Sequence, residues 1–169
     1  MRGKTKTNYI FIILTGIFLA CFLKIFVIDI LTVEGNSMIP SLKNGQNILV
    51  NKLSYGLVNP FSSTLIVKWA EPKENDIVIF LYNNDIVVKR CVATGGTSLD
   101  YLTDNDYSLI VGGKKKITLS QNQYHKMFKS SFVPTGYILA VGDNYTESYD
   151  SRNYGFVPVE NILGKIICK

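Results

Sequence analysis

The sequence predicts a mainly β domain preceded by one membrane-spanning helix. Three observations carry this. An uncharged apolar run occupies Tyr9 to Leu23, many short β-branched runs follow it between turn signals, and no second long helical pattern appears. The 169 residues suffice for one domain of ordinary size and not for two full ones. Apolar residues make up 47% and charged residues 18%, which excludes a disordered chain. Mean hydropathy is +0.15, so some apolar surface faces something other than water. Three Cys and one His exclude a disulfide-stapled miniprotein and argue against a zinc enzyme.

The N-terminal run is taken first. Lys24 interrupts it and Ile25 to Ile28 continue it. About twenty helical residues at ~1.5 Å each span a hydrocarbon core, and Lys24 near the far end can snorkel to the headgroups. Arg2, Lys4, Lys6 and Lys24 against Asp29 place +3 of the net +5 within residues 1–30. The cations before the run keep the N-terminus cytoplasmic by the positive-inside rule. The expected organisation is a short cytoplasmic N-terminus over 1–8, an anchor over 9–28 and an extracytoplasmic domain over 29–169. A cleaved signal peptide ending near Ala20 and a lipoprotein with Cys21 as its lipid site are the alternatives. Against both, Phe22 to Val33 stays apolar where a mature N-terminus turns polar.

The β runs follow in order: Ile48 to Val50, Ile77 to Tyr82, Ile86 to Ala93, Tyr107 to Val111, Ile117 to Leu119, Tyr137 to Val141 and Leu163 to Cys168. Turn signals such as Asn83-Asn84-Asp85, Thr94-Gly95-Gly96 and Gly112-Gly113 separate them, which suggests a sandwich or barrel. Residues 97–130 are more polar and read as a protruding hairpin. Lys114-Lys115-Lys116 reads as a solvated turn, leaving no basic stripe for nucleic acid. His125 lies in a polar stretch and reads as a surface residue. No metal-binding, CxxC or phosphate-loop motif is present, and no metal or cofactor is expected.

Three segments carry chemistry. In Val33-Glu34-Gly35-Asn36-Ser37-Met38-Ile39-Pro40-Ser41-Leu42, Gly35 allows a close backbone approach and Pro40 stiffens the exit, presenting Ser37 on a constrained loop. A surface turn is the alternative. As a strand, Asp85 to Ala93 places Val87, Lys89, Cys91 and Ala93 on one face and Ile86, Val88, Arg90 and Val92 on the other. Lys89 is then embedded among small hydrophobes. Desolvation lowers a lysine from about 10.4, and bringing it near 8 costs roughly 3 kcal/mol. The resulting neutral amine can take a hydroxyl proton, which a serine nucleophile needs where no His is available. Snorkelling from an edge strand is the alternative reading. In Val141 to Pro158, Asp150 and Arg152 can pair to stiffen the loop, and Ser148 offers a hydroxyl to orient an amine.

Together the segments resemble the bacterial type I signal peptidase family, membrane-bound serine endopeptidases with a Ser/Lys dyad. The matching blocks are Ser37 to Leu42, Lys89-Arg90, and Gly142-Asp143-Asn144 with Ser148, Asp150-Ser151-Arg152 and Gly155 to Pro158. Asn51 to Leu57 with Pro60, and Pro72 with Asp76 to Phe80, fit in order as well. The resemblance implies a signal-peptidase-like β fold, Ser37 as nucleophile and Lys89 as general base. It implies Ser148 holding the Lys89 amine, Asp150 and Arg152 as support, and the Ser37 N–H as main oxyanion donor. Met38 and Leu42 would line pockets for small residues at −1 and −3 of the substrate. The implied partners are preproteins with signal peptides and the lipid bilayer, with no nucleic acid, and the chain is expected to be a monomer.

The sequence departs from the family pattern in places. Some relatives carry a serine as second oxyanion donor at the position of Gly35. Cys91-Val92-Ala93-Thr94-Gly95-Gly96-Thr97 replaces the usual Val-Ile-Gly-Leu-Pro-Gly-Asp, and Asn75 stands where Gly normally precedes Asp76. Rival functions are a conjugative pilin maturation peptidase and a non-catalytic anchored binding module. A self-cleaving repressor would need a DNA-binding helical domain where this chain has its apolar run. A pairing of Cys91 with Cys168 outside the cytoplasm is the alternative to a free buried Cys91, which is the expectation because sequence gives no distance between the two.

Overall fold

A computed structural model describes the backbone at residues 3–60, 65–104 and 106–168, and the side chains of 8–60, 65–104 and 106–167. Arg2, the Lys4 and Lys6 side chains and the Cys168 thiol lie outside the described residues. Helix α1 (Gly3–Phe22) continues through a π-helical turn, Leu23–Val27. Its large side chains from Tyr9 to Phe22 are exposed, so the apolar surface meets no protein. The apolar span Asn8–Val27 has 20 residues, about 30 Å of helix. Strand β1 begins at Ile28, so the helical segment stops one residue short of the expected boundary. Lys52 fixes the helix end on the domain: its Nζ donates to the carbonyls of Lys24 (3.1 Å) and Ile25 (3.4 Å) and pairs with Asp29 at 2.9 Å. A cation at a helix C-terminus satisfies carbonyls that have no intrahelical donor.

The domain is mainly β. Strands β1 (Ile28–Thr32), β2 (Asn47–Asn51), β5 (Ile77–Tyr82), β6 (Asp85–Thr94), β10 (Tyr137–Val141), β11 (Val157–Pro158) and β12 (Ile162–Cys168) form one antiparallel sheet, ordered β1-β2-β12-β5-β6-β10-β11. Strands β3 (Gly56–Val58) and β4 (Leu65–Lys68) form a ribbon. On β5, Ile77 and Ile79 pack with Val33, Met38 and Leu42, whereas Val78 and Phe80 pack with Cys91, Ile138 and Ala140. Burial on both faces explains the continuous apolar run there. The Asn83-Asn84 turn has positive φ at both residues (51° and 67°), the conformation that lets a two-residue hairpin follow the strand twist.

Residues 97–130 fold into more than the expected hairpin. Strands β7 (Leu99–Leu102), β8 (Ser108–Val111) and β9 (Lys115–Thr118) form a three-stranded sheet, followed by helix α2 (Gln121–Met127). Leu99, Leu109, Ile117 and Met127 build a core of their own against Leu139 and Val141. Helix α2 starts at a capping box, with Ser120 accepting from the Gln123 N–H and the Gln123 side chain accepting from the Ser120 N–H. His125 is exposed on this helix, and Lys114 is exposed in the β8–β9 turn.

Candidate active site

Three segments distant in sequence meet at the middle of β6, next to the point where β10 stops pairing with it. The loop after β1 carries Ser37, β6 carries Lys89, and the stretch after β10 carries Gly142, Ser148 and Asp150. Lys89 Nζ donates to Ser37 Oγ at 2.8 Å. The loop is held from behind, because the Asn144 N–H donates to the Ser37 carbonyl (3.0 Å) and the Asn144 side chain donates to the Asn36 carbonyl (3.2 Å). Gly142 has no room for a side chain: a Cβ there would collide with Ser148 Oγ and the Ser37 carbonyl. None of the described backbone hydrogen bonds uses the Ser37 N–H.

Lys89 is only 5% exposed. Burial pushes its pKa below the ordinary value. Asp150 pulls in the opposite direction and Arg152 adds to the lowering, but desolvation is the largest of the three effects and sets the direction. A neutral amine within hydrogen-bond reach of a hydroxyl can accept its proton. Cys91, two residues further on, is a free and fully buried thiol pushed up to about 12, first by burial and then by Asp76 and Glu74. At that value it is no nucleophile near neutral pH. Its proposed partner Cys168 has no described side chain.

Asp150 and Arg152 are fully enclosed and paired through two bonds, Arg152 Nε to Oδ1 at 2.9 Å and Nη2 to Oδ2 at 2.8 Å. Asp150 also accepts from the Gly142 N–H at 3.0 Å and caps the short helix α3 (Ser151–Tyr154). A buried pair with its remaining lone pairs occupied avoids the penalty of an isolated charge. Ser148 Oγ is buried with no hydrogen-bond partner among the described residues. It stands beside Gly142 and makes no hydrogen bond to the Lys89 amine.

A groove of about 600 Å³ leads away from the pair, between Val33 to Met38 on one side and Asn84 to Lys89 on the other. Strand pairing explains it. The Cys91 N–H donates to the Asp76 carbonyl and the Cys91 carbonyl accepts from the Asn75 N–H, both at 2.8 Å. Backbone groups alternate along an antiparallel strand, so those of Ile86 and Val88 point away from β5. Strand β10 pairs with β6 only over Arg90 to Thr94. The β6 edge at Ile86 and Val88 is therefore open, and it faces the groove.

The family described as "Signal peptidase, peptidase S26" matches residues 6–169. The chain belongs to this family. It is 32% identical over 164 residues to signal peptidase I of Bacillus caldolyticus, covering 85% of this chain and 80% of that protein. It is 31% identical over 140 residues to thylakoidal processing peptidase 1 of Arabidopsis thaliana, covering 80% of this chain but only 40% of that protein. A solved structure of a signal peptidase I from Enterococcus faecalis aligns with TM-score 0.42 at 24% identity, covering 58% of this chain and 98% of that one.

Some sequence expectations shift in the structure. Gly35 adopts φ +83° with open space where a Cβ would stand, so a left-handed backbone, not a close approach, calls for glycine. Met38 lines the groove beside Ser37, whereas Leu42 is fully buried among Ile48, Val50 and Ile79 and forms no part of the groove wall. The alternation on β6 breaks at Val92, an extra residue opposite the step from Leu139 to Ala140, which turns Ala93 to the other face. Asn75 takes φ +72°, the left-handed conformation a glycine would adopt.

One network escaped the sequence reading. Arg90 holds Asp143 through Nε (2.7 Å) and Nη2 (2.6 Å), and donates to Ser41 Oγ (2.9 Å) and the Asn75 carbonyl (3.0 Å). It ties the Ser37 loop, β6 and the segment after β10 together. Only the adjacency of Lys89 and Arg90 hinted at it.

Proposed function

We propose that this chain is a membrane-anchored serine endopeptidase that removes N-terminal signal peptides from exported preproteins. The observation that carries the reading is the 2.8 Å approach of a buried amine, Lys89, to the Ser37 hydroxyl at the head of an open strand edge. Membership of the signal peptidase family supports it.

In the proposed mechanism, neutral Lys89 takes the Ser37 proton as Oγ attacks the scissile carbonyl. The oxyanion forms against the Ser37 N–H. Collapse of the tetrahedral intermediate passes the proton from the Lys89 ammonium to the leaving amine, and an acyl-enzyme remains. Lys89, neutral again, then activates water for deacylation. The Ser148 hydroxyl, unbonded in the structure, accepts from the Lys89 amine in the course of this cycle, while Asp150 and Arg152 brace the segment carrying Ser148. The substrate adds as an extended strand along Ile86 and Val88, whose free N–H and carbonyl groups hold its backbone. Met38 forms part of the wall for small side chains next to the scissile bond, and Leu42 supports it from beneath. Residues 8–27 span the bilayer, with the peptidase domain on the extracytoplasmic side as the flanking cations imply.

The test is incubation of detergent-solubilised protein with a panel of unrelated preproteins, followed by N-terminal sequencing of the products. Cleavage of several, each after a small residue, is expected. Failure on all of them overturns the reading, and cleavage of one dedicated pilin alone favours a maturation peptidase.

A further inference from the structure

A second cavity, about 350 Å³, lies where the apolar helix meets the domain. Its apolar wall includes Ile25 and Phe26 at the helix end, Leu31 on β1, Val58 on β3, and Ile79 and Ile86 on the main sheet. Ile86 also lines the groove that leads from Ser37 and Lys89. On β6 it lies three residues before Lys89, about 10 Å along an extended strand. The side chain is 55% exposed although apolar neighbours surround the site. The groove along the β6 edge and this cavity therefore share Ile86 as a common wall, the cavity lying on the Ile79 and Ile86 face of the sheet, opposite the Lys89 face. They end beside a helix whose outer surface is apolar and uncovered.

We infer that this junctional cavity is a further substrate subsite, which takes the apolar segment that precedes the scissile bond. The inference rests on the function proposed above. Signal peptides carry an apolar stretch of about 7–15 residues before a short cleavage region. A chain lying along the β6 edge from Lys89 toward Ile86 delivers its residues beyond the third or fourth from the scissile bond into the cavity. From there the apolar stretch continues alongside α1. This fixes the substrate direction, with its N-terminal side running toward Ile86 and the lipid. Lys52, paired with Asp29 and bonded to the Lys24 and Ile25 carbonyls, holds the two walls of the cavity in register. The subsite selects an apolar segment at a set distance from the scissile bond, a requirement that small residues at the bond do not supply.

The experiment compares two substrates of the full chain in detergent. One is a preprotein carrying its apolar stretch, the other a short peptide with only the residues flanking the scissile bond. For Val58→Asp the loss of kcat/KM on the preprotein should exceed the loss on the short peptide by at least tenfold, mainly through KM. Equal losses on both substrates overturn the subsite. If the unaltered chain cuts neither substrate, the peptidase reading itself fails, which is a separate outcome. A second measurement uses Ser37→Ala in phosphatidylcholine vesicles with a preprotein bearing benzoylphenylalanine four residues before the scissile bond. Crosslinks at Ile86, Val58 or Phe26 are expected. Crosslinks only to lipid or to other parts of the domain overturn the proposal.

Discussion

Lys89 combines two demands that oppose each other. In the proposed mechanism its amine serves as a base because it is desolvated, and the same desolvation destabilises the folded chain whenever the amine is charged. Because the folded pKa lies below the ordinary 10.5, the unfolded chain binds the extra proton, and stability rises with pH between the lowered pKa and about 10.5. Lys89→Met should therefore raise the unfolding temperature at pH 7, with the gap shrinking as pH approaches 10. Thermal unfolding at both values checks this, and an unchanged gap contradicts it. Catalysis follows the same proton: kcat/KM should climb on an alkaline-going limb whose midpoint lies below the ordinary lysine value. A flat profile up to pH 10 would speak against an amine base. Ser37 and Lys89 were both legible as residues, the first from its Gly-and-Pro-framed loop, the second from a cation set in an apolar strand. Ser148 was legible as a nearby hydroxyl, but its unbonded burial beside Gly142 was not. Distances across long chain separations leave no trace in local composition.

Strands and loops decide whether those side chains meet. The runs at β5, β6, β10 and β12 were readable because a strand covered on both faces shows as an unbroken apolar stretch. Strand β7 was not, since Asp100 breaks the apolar pattern by facing solvent. The pairing order and the short reach of β10 along β6 were equally hidden, although they leave open the β6 edge on which the proposed substrate strand adds. The brace behind the site is compact: Asp150 bonds Arg152, the Gly142 N–H and the first turn of α3 at once. Asp150→Ala leaves the Arg152 charge uncompensated in the interior and should cost about 3–5 kcal/mol. Chemical denaturation measures it, and a loss under 1 kcal/mol would refute the bracing role. Gly142→Ala forces a methyl into Ser148 and the Ser37 carbonyl, an overpacking cost of about 1–3 kcal/mol. Activity should fall further than stability, because the displaced atoms belong to the Ser37 loop.

At the scale of the whole molecule, the positive mean hydropathy resolves into one uncovered helix joined to a domain with three apolar clusters. The helix was the easiest element to read, because a predominantly apolar span of 20 residues leaves few other homes than a lipid core. Its junction was harder, since β1 continues the apolar run and only Lys52 marks where helix gives way to sheet. A chain shortened to begin at Ile28 should lose flotation with phosphatidylcholine vesicles while keeping its β circular dichroism. Flotation equal to the full chain would assign membrane contact to the domain.

The account stands on the Ser37–Lys89 pair. Its most direct test is the cleavage rate of a preprotein by the purified full chain, by Ser37→Ala and by Lys89→Ala, each first shown to unfold cooperatively. Removing the base should slow cleavage by about a hundredfold to ten-thousandfold, and removing the nucleophile should slow it at least as much. A folded Lys89→Ala that cuts at close to the unaltered rate would contradict the central claim.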